Sequence, residues 1–448
     1  MLKRLAPAVD TLRGSETGKA VGLAGAMIIN NGIALVASVV FARMLTDYGA
    51  LAALVSYLLI LTVVGQALQV ATARDGVLGR LGTGADLVAT LERWGWSLGA
   101  FTLVATIASI LLRQPIADLV GVPRQPWGAA AGIPAGCAYL AVSIMRGALQ
   151  GTGEYRVVGI SLVGEQTIRL IAGAALAVIG LKVTGAFLGS LIAYVAMTGY
   201  CMLRLRDRLG LQHNTSGGVS AFGLWRHVRV AAVAIAALAV IQFLQNIDLI
   251  IANHRFSQRV ASSYAVAAVA AKVLIWVAMG AGFYLVPECS RLRSKGIDAR
   301  PVLLRAVGII AVCAIPCLLI FAVGAHPLLS LVFGRKRAIA SSSLLPLGAA
   351  FTVLAGTYLA VQYMLALHRS KFLIAIGLVA ALEPVLLLQA PRNPAGFATV
   401  VLGVQVLGAV LAFGLALRPL RTTRAAPAGV PQPAPAPVLQ AAEPDRSA

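Results

Sequence analysis

Twelve apolar runs of about 20 residues each divide the chain and restrict its fold more than any other feature. A helix of about 20 apolar residues spans the roughly 30 Å of hydrocarbon in a bilayer. The runs are continuously apolar, whereas the strands of a membrane β-barrel alternate over about 10 residues, so helices are favoured. The runs fall near residues 20–41, 50–70, 94–112, 127–145, 157–179, 183–203, 228–252, 263–287, 302–323, 342–366, 372–390 and 396–417.

The composition agrees with a membrane protein. Hydrophobic residues make up 59% of the chain and charged residues 12%, against about 45–50% and 25% in soluble domains. The excess apolar surface therefore has to face lipid. The net charge of +21 does not indicate a nucleic-acid partner here, because cytoplasmic loops of membrane proteins are expected to be basic.

The sequence offers no motif for a cofactor, a metal or catalysis. The five cysteines are scattered without a CxxC pair, and the five histidines are isolated along the chain. Neither a nucleotide-binding loop nor a Ser/His/acid arrangement is present. We therefore predict neither an enzyme nor a cofactor-binding protein.

Basic residues predict the orientation of the chain. Most of the Lys and Arg lie in the amino-terminal segment, in the loops from even to odd spans and in the tail. By the positive-inside rule, both termini are cytoplasmic in a bacterial inner membrane. The cluster Arg335, Lys336 and Arg337 falls on the opposite, outer side and contradicts this rule.

A weak internal repeat divides the chain into two halves. A shift of about 216 residues places Arg43 and Tyr48 on Arg259 and Tyr264, with the same order of spans around them. We expect two six-helix bundles in the same membrane orientation. The predicted units are a cytoplasmic segment 1–19, a first bundle 20–203, a cytoplasmic linker 204–227, a second bundle 228–417 and a disordered Pro/Ala-rich tail 418–448.

Small residues predict close helix packing at two places. Gly128, Gly132 and Gly136 form a GxxxGxxxG ridge on the fourth span, and Gly185 and Gly189 repeat the spacing on the sixth. Such ridges allow two helix backbones to approach each other closely.

Charged side chains inside the spans are the most informative functional signal, because each costs roughly 2.5–3.5 kcal/mol at a helix centre. Glu165 and Arg169 lie four residues apart on one face of the fifth span, where they are expected to pair. Asp248, Lys272 and Glu383 lie in the seventh, eighth and eleventh spans. Such groups usually face a bundle interior or a wet cavity.

Amide side chains occur at matching depths and support a central polar cavity. They are Asn30, Asn31, Gln66, Gln69, Gln245, Asn246 and Gln362. An alternative interpretation is that the amides and charges only tie helices together. In the functional interpretation, Arg169 and Lys272 bind an anion, while Glu165 and Asp248 orient them or carry coupling protons.

Two stretches, 145–176 and 245–292, resemble the bacterial polysaccharide-biosynthesis membrane proteins of the O-antigen (Wzx-type) flippase family. That family belongs to the multidrug/oligosaccharidyl-lipid/polysaccharide exporter superfamily. The resemblance, which covers about residues 15–420, implies an all-α polytopic membrane protein with about 12 transmembrane helices in two pseudo-symmetric six-helix bundles around a central cavity. It also implies that Glu165 and Arg169 lie at the charged turn of the fifth span.

The function implied is a secondary transporter that flips a polyprenyl-pyrophosphate-linked oligosaccharide across the cytoplasmic membrane by alternating access. Its expected partners are the lipid-linked glycan, membrane lipid and glycan-assembly proteins. The alternative is a cation-coupled multidrug exporter of the same fold, and a membrane glycan polymerase or ligase is the third. The glycan, the coupling ion and the oligomeric state stay open.

Overall fold

Helices account for nearly all of the chain that the structure describes. The structure is a computed structural model that describes residues 16–82, 84–209, 223–294, 297–367, 369 and 372–418. In chain order, the helices are α1 (Glu16–Met44), α2 (Tyr48–Leu61), α3 (Val63–Val77), α4 (Ala85–Leu111), α5 (Arg113–Val120), α6 (Pro126–Gly151), α7 (Tyr155–Leu176), α8 (Lys182–Leu209), α9 (Leu224–Val230), α10 (Ala232–Arg255), α11 (Gln258–Ser294), α12 (Arg300–Phe333), α13 (Leu344–Ala366), α14 (Phe372–Gln389) and α15 (Pro394–Ala416). Most of the predicted linker and tail lies outside the described residues.

The predicted twelve-span, all-helical architecture is confirmed. Eleven described helical stretches are long and apolar enough to cross a membrane, and one of them, Tyr155–Arg208, has 54 residues, enough for two crossings. The chain reverses within that stretch at Gly180, whose φ of 115° suits glycine. The chain is therefore a multi-pass membrane protein.

The internal repeat is visible in the helix packing. In the first half, α3 packs on α6, α6 on α8, α7 on α8, α1 on α7 and α4 on α6. The same five pairings recur in the second half, where α11 packs on α13, α13 on α15, α14 on α15, α10 on α14 and α12 on α13. The two halves are thus pseudo-symmetric bundles, although the domain bounds stay a prediction.

The central contact between the halves is made by α2 against α10 and α11. Gly49 allows the closest approach, because a Cβ there would lie 2.9 Å from Asn253 Oδ1 and 3.0 Å from the Ser262 nitrogen. The Gly49 amide donates a hydrogen bond of 2.9 Å to Ser262 Oγ. This contact joins the bundles at one end of the membrane-spanning helices.

The glycine ridge on α8 packs as expected against α7. A Cβ on Gly189 would lie 2.7 Å from the Arg169 carbonyl oxygen, and a Cβ on Gly173 would lie 2.8 Å from the Ala186 carbonyl oxygen. The two backbones are therefore in contact along this stretch. This contact fixes the turn of α7 that carries Arg169.

Two arginines join the halves at the predicted outer face. Arg43, at the end of α1, donates to the carbonyls of Leu331 and Val332 at the end of α12, each at 2.8 Å from Nη2. Arg337 reciprocates from the second half by donating to the Ala42 carbonyl at 3.0 Å and to the Leu45 carbonyl. The carbonyls at a helix C-terminus have no partner within the helix and carry partial negative charge.

The end of α10 makes the matching contact in the other half. Asn253 Nδ2 donates to the Gly121 carbonyl, and His254 Nε2 lies 3.1 Å from the Leu119 carbonyl oxygen. We call Arg43, Asn253, His254 and Arg337 the outer seam. The basic cluster at residues 335–337 breaks the positive-inside rule, but the seam shows that it has a structural role. Its Arg337 donates hydrogen bonds to carbonyls of α1 and of the turn after α1.

The short helix α9, which precedes the second bundle, is anchored to the first. Its His227 lies 3.1 Å through Nδ1 from Asp75 Oδ2 and 3.1 Å through Nε2 from Thr72 Oγ1. The imidazole also stacks near Trp94, with ring centroids 5.2 Å apart. His227 is isolated along the chain, yet the fold brings Asp75 and Thr72 to its two ring nitrogens.

Candidate functional site

A polar cavity of about 270 Å³ lies between the two bundles. Helices α1, α2 and α7 of the first half and α10 and α11 of the second supply nearly all of its wall. Its polar and charged lining residues, apart from tyrosine and tryptophan, are Asn30, Asn31, Ser38, Ser56, Gln166, Arg169, Gln245, Asn246 and Lys272. The cavity therefore lies where the sequence placed a central polar chamber.

Two cations from opposite halves face this cavity. Arg169 on α7 is half-buried and forms no ion pair with any residue that the structure describes. Lys272 on α11 has 8% of its surface exposed, and its Nζ donates to Asn246 Oδ1 at 3.1 Å. The same ammonium lies 5.4 Å from the centre of the Phe351 ring.

No carboxylate belongs to the described lining of this cavity. The cavity therefore has positive charge from Arg169 and Lys272 that its own walls do not neutralise. In a setting with little water, positive charge in the cavity wall favours an anionic ligand. This is the property of the site that most limits its possible ligands.

Two predicted carboxyls lie behind the cavity wall. Asp248 has 1% of its surface exposed and accepts a hydrogen bond of 3.2 Å from the Tyr264 hydroxyl. Glu383 has 0% exposed and accepts one of 3.3 Å from Gln405 Nε2. Both interact electrostatically with Lys272, so they balance part of its charge from outside the cavity.

Each of these carboxyls also keeps one oxygen without a hydrogen-bond partner in the described part of the chain. These atoms are Asp248 Oδ1 and Glu383 Oε2. A buried carboxyl oxygen without a donor gains a hydrogen-bonding group when it binds a proton. Each carboxyl could therefore accept a proton at its unpartnered oxygen. The sequence-based role of Glu165 and Asp248, in orienting the cations or carrying coupling protons, stays a prediction.

The expected pairing of Glu165 with Arg169 is wrong. Glu165 Oε2 instead lies 2.8 Å from Nη1 of Arg146 on α6. Arg146 has 1% of its surface exposed and also donates to the hydroxyl and the carbonyl oxygen of Ser161, each at 2.8 Å. Because Glu165 is paired with Arg146, it does not pair with Arg169, whose side chain lines the cavity.

The sequence misplaced Arg146 by a single residue. The apolar pattern ends the fourth run at residue 145 and therefore predicts that Arg146 lies in the basic cytoplasmic loop. The helix continues to Gly151, and Ala148 and Leu149 beyond the arginine are fully buried. Those two apolar residues were the signal that the buried helix continues past the charge.

Four of the predicted amides line the cavity, namely Asn30, Asn31, Gln245 and Asn246. The other three, Gln66, Gln69 and Gln362, are not part of its wall. Gln362 instead donates to the Tyr358 hydroxyl at 2.8 Å, one turn away on its own helix. The sequence did not identify Gln166, which adds an amide to the wall beside Arg169.

Comparison by sequence finds no relative, because no protein-family model and no curated protein matches the chain. Comparison by structure does. The lipid II flippase MurJ in an inward closed conformation matches with a TM-score of 0.68 at 14% identity, covering 88% of this chain and 87% of that one. A multidrug resistance MATE family transporter in an inward-facing conformation also scores 0.68, at 13% identity and 88% and 96% coverage.

The chain has the fold of these transporters. A MOP superfamily transporter from Pyrococcus furiosus shares it at a TM-score of 0.56 and 12% identity, with coverage of 91% and 95%. The binding pocket of that transporter has a reversed polarity, which suggests a different function for it. At these identities the likeness shows the fold, while the ligand has to be argued from the cavity itself.

Proposed function

We propose that the chain is a secondary flippase for an anionic lipid-linked cargo, a polyprenyl-pyrophosphate-linked oligosaccharide used in surface polysaccharide biosynthesis. The observation that carries the proposal is the central cavity, which has Arg169 and Lys272 in its wall and no carboxylate in its described lining. A pyrophosphate presents several negative oxygens in one small group. It therefore matches a cavity whose wall contains two cations, one from each half of the chain.

The two cations are suited to different parts of such a head group. The planar guanidinium of Arg169 donates two parallel hydrogen bonds to a phosphate, whereas the Lys272 ammonium acts as a point charge. Because they belong to different halves, a pyrophosphate bound to both would link the bundles. Binding of the cargo would then favour the arrangement of the halves that brings the cations together.

Alternating access requires the cavity to open to one face of the membrane at a time. The outer seam holds the halves together at the predicted outer face, which agrees with loading from the predicted cytoplasmic side. Both termini are proposed to be on that side, in the inner membrane. The cavity of about 270 Å³ is small for an oligosaccharide, so the sugars would occupy the open cytoplasmic side during loading.

The energy source is proposed to be an ion gradient, since the sequence has no nucleotide-binding motif. Glu165 is already neutralised by Arg146. Asp248 and Glu383 are therefore the carboxyls best placed to carry a coupling proton, and both interact with Lys272. Protonating them would raise the effective positive charge around the ligand.

A cation-coupled multidrug exporter is the alternative, and it is favoured by the MATE transporters among the structures of the same fold. Organic cations, however, would meet two cationic side chains, Arg169 and Lys272, and no carboxylate in the described lining of this cavity. The sign of the ligand charge therefore separates the two functions.

The test uses the purified full chain in proteoliposomes. The first assay uses a fluorescent polyprenyl-pyrophosphate sugar and an enzyme added outside the vesicles. Sugar that has crossed the bilayer is protected from this enzyme. The second assay measures uptake of a cationic dye. Movement of the lipid-linked sugar without dye transport supports the flippase. Dye transport that is driven by an ion gradient, without movement of the lipid-linked sugar, would overturn the proposal.

A further inference from the structure

A second and larger cavity, of about 1040 Å³, lies between α1 and α7. Its described walls come from two stretches, residues 22–29 of α1 and residues 153–168 around α7. The walls are mostly apolar and include Ile29, Ile160 and Val163. We call this cavity the α1–α7 groove.

Small residues make the groove deep on the α1 side. Gly22, Gly25 and Ala26 lie three and four positions apart, so they share one face of the helix. A Cβ added to Gly22 or to Gly25 would meet no heavy atom within 4 Å. The space in front of these two glycines is therefore not filled by any helix in the described part of the chain.

The groove has the depth of one membrane leaflet. Its wall on α7 runs from Tyr155 to Ile168, which is roughly 20 Å at 1.5 Å per residue. One leaflet contributes about 15 Å of hydrocarbon. The groove thus starts at the predicted cytoplasmic surface and ends near the middle of the membrane.

Both ends of the groove lie next to an arginine. Arg156 lines its mouth, is exposed and has no ion pair among the residues that the structure describes. Glu154 also lines the mouth, and its Oε1 lies 3.9 Å from Nε of Arg208. At the inner end, Ile168 lines the groove while the next residue, Arg169, lines the central cavity. On α1, Ile29 likewise lines the groove, while the next residue, Asn30, lines the central cavity.

We propose that the α1–α7 groove binds the isoprenoid chain of the lipid-linked cargo. Its pyrophosphate would first meet Arg156 at the mouth and then move to Arg169 at the inner end. The inference rests on the proposed function, because it assigns a second part of the same cargo. Lipid tails are as apolar as the groove wall, so selectivity for this chain would come from its fit and from the arginines at both ends.

The groove is tested with a photoactivatable long-chain isoprenyl pyrophosphate on the full chain in nanodiscs, with labelled peptides mapped by mass spectrometry. The expected labels fall on residues 22–29 and 155–168. The variant Gly22→Leu/Gly25→Leu places two branched apolar side chains in the groove, at positions where an added Cβ meets no heavy atom within 4 Å. It should lower this labelling about tenfold, equivalent to ~1.4 kcal/mol of binding free energy.

Gly99→Leu on α4 is the matched control, because a Cβ there also meets nothing within 4 Å. It should label like the unaltered chain. Labelling that an ordinary phospholipid displaces as well as a long-chain isoprenyl pyrophosphate does would show an annular lipid only, and it would overturn the proposal. So would labelling that Gly22→Leu/Gly25→Leu leaves unchanged in a protein of normal melting temperature.

A short-chain isoprenyl pyrophosphate separates this inference from the proposed function. Its chain is too short to fill the groove, so the binding that Arg169→Gln and Lys272→Gln remove reports on the cations of the central cavity. Normal short-chain binding together with unlabelled groove peptides would refute the groove alone. Failure of the unaltered chain to bind the short-chain probe would refute the proposed function, whatever the groove peptides show.

Discussion

Arg146 on α6 and Glu165 on α7 form an ion pair, with 2.8 Å between Nη1 and Oε2, inside the first bundle. Both side chains are almost completely buried. Breaking a buried pair by removing one partner leaves an uncompensated charge and costs about 3–5 kcal/mol. This pair therefore fixes α6 against α7 and also decides which arginine is free to face the cavity.

We predict that Arg146→Met destabilises the chain by about 3–5 kcal/mol, and that adding Glu165→Leu restores part of that loss. The measurement is thermal unfolding of the four species of the double-mutant cycle in one detergent. Two single losses that simply add in the double variant would show that the two side chains do not depend on each other.

We predict that the hydrogen bonds of the outer seam keep the cavity closed towards the outer face of the membrane. Removing the guanidinium in Arg43→Ala or Arg337→Ala leaves helix-end carbonyls without their donors. The measurement uses a cysteine-free background that carries Ser38→Cys in the cavity wall. Labelling of this cysteine by an impermeant maleimide from the outer face should rise several-fold. A rise of this size corresponds to the loss of ~1 kcal/mol of hydrogen-bond free energy that holds the outer face closed.

Lys336→Ala is the control for the seam. Lys336 is exposed and belongs to the same basic cluster. Its removal changes the local charge without removing a capping bond that the seam contains. An equal rise in labelling for Lys336→Ala and Arg337→Ala would show that charge, and not capping, closes the outer face.

The anchoring of α9 is predicted to depend on pH. Burial lowers the pKa of His227 below its usual 6.5, although the neighbouring Asp75 opposes this shift. The docked helix therefore favours the neutral imidazole. Its docking is fully stable above pH 6.5 and weakens as the pH falls below that value towards the lowered pKa.

Amide hydrogen exchange of residues 224–230, corrected for intrinsic rates, should show this weakening between pH 7.5 and pH 5.5. His227→Gln keeps a polar side chain but cannot gain the proton, so its exchange should not change with pH. Arg229→Gln on the exposed side of α9 should behave like the unaltered chain. Exchange that is equally pH-dependent in His227→Gln would rule out the imidazole as the cause.

The fold could be predicted because lipid imposes one rule on every span. Each crossing needs about 20 apolar residues with all backbone groups paired inside a helix. The reversal at Gly180 separates two runs that both stand out in the sequence. This rule does not determine which side chains contact each other. For that reason the sequence predicts a loop position for Arg146, which lies one residue beyond an apolar run.

The site could be predicted only as a set of charges near mid-membrane. Spacing along one helix allows Glu165 to reach Arg169, but it does not reveal that α6 brings Arg146 to the same place. His227 and Thr72 are likewise 155 residues apart in the chain. Sequence periodicity gives the face of a helix, whereas the contact between two faces depends on how the bundles assemble.

The most direct test of the central claim is the binding of a short-chain isoprenyl pyrophosphate to the purified chain, measured by calorimetry. Arg169→Gln and Lys272→Gln should each weaken binding by about tenfold or more, since a hydrogen bond to a charged group contributes about 1.5–3 kcal/mol. Arg204→Gln, at the exposed end of α8, should leave binding unchanged. If both cavity variants bind the pyrophosphate as tightly as the unaltered chain does, the cavity does not recognise an anion and the account is contradicted.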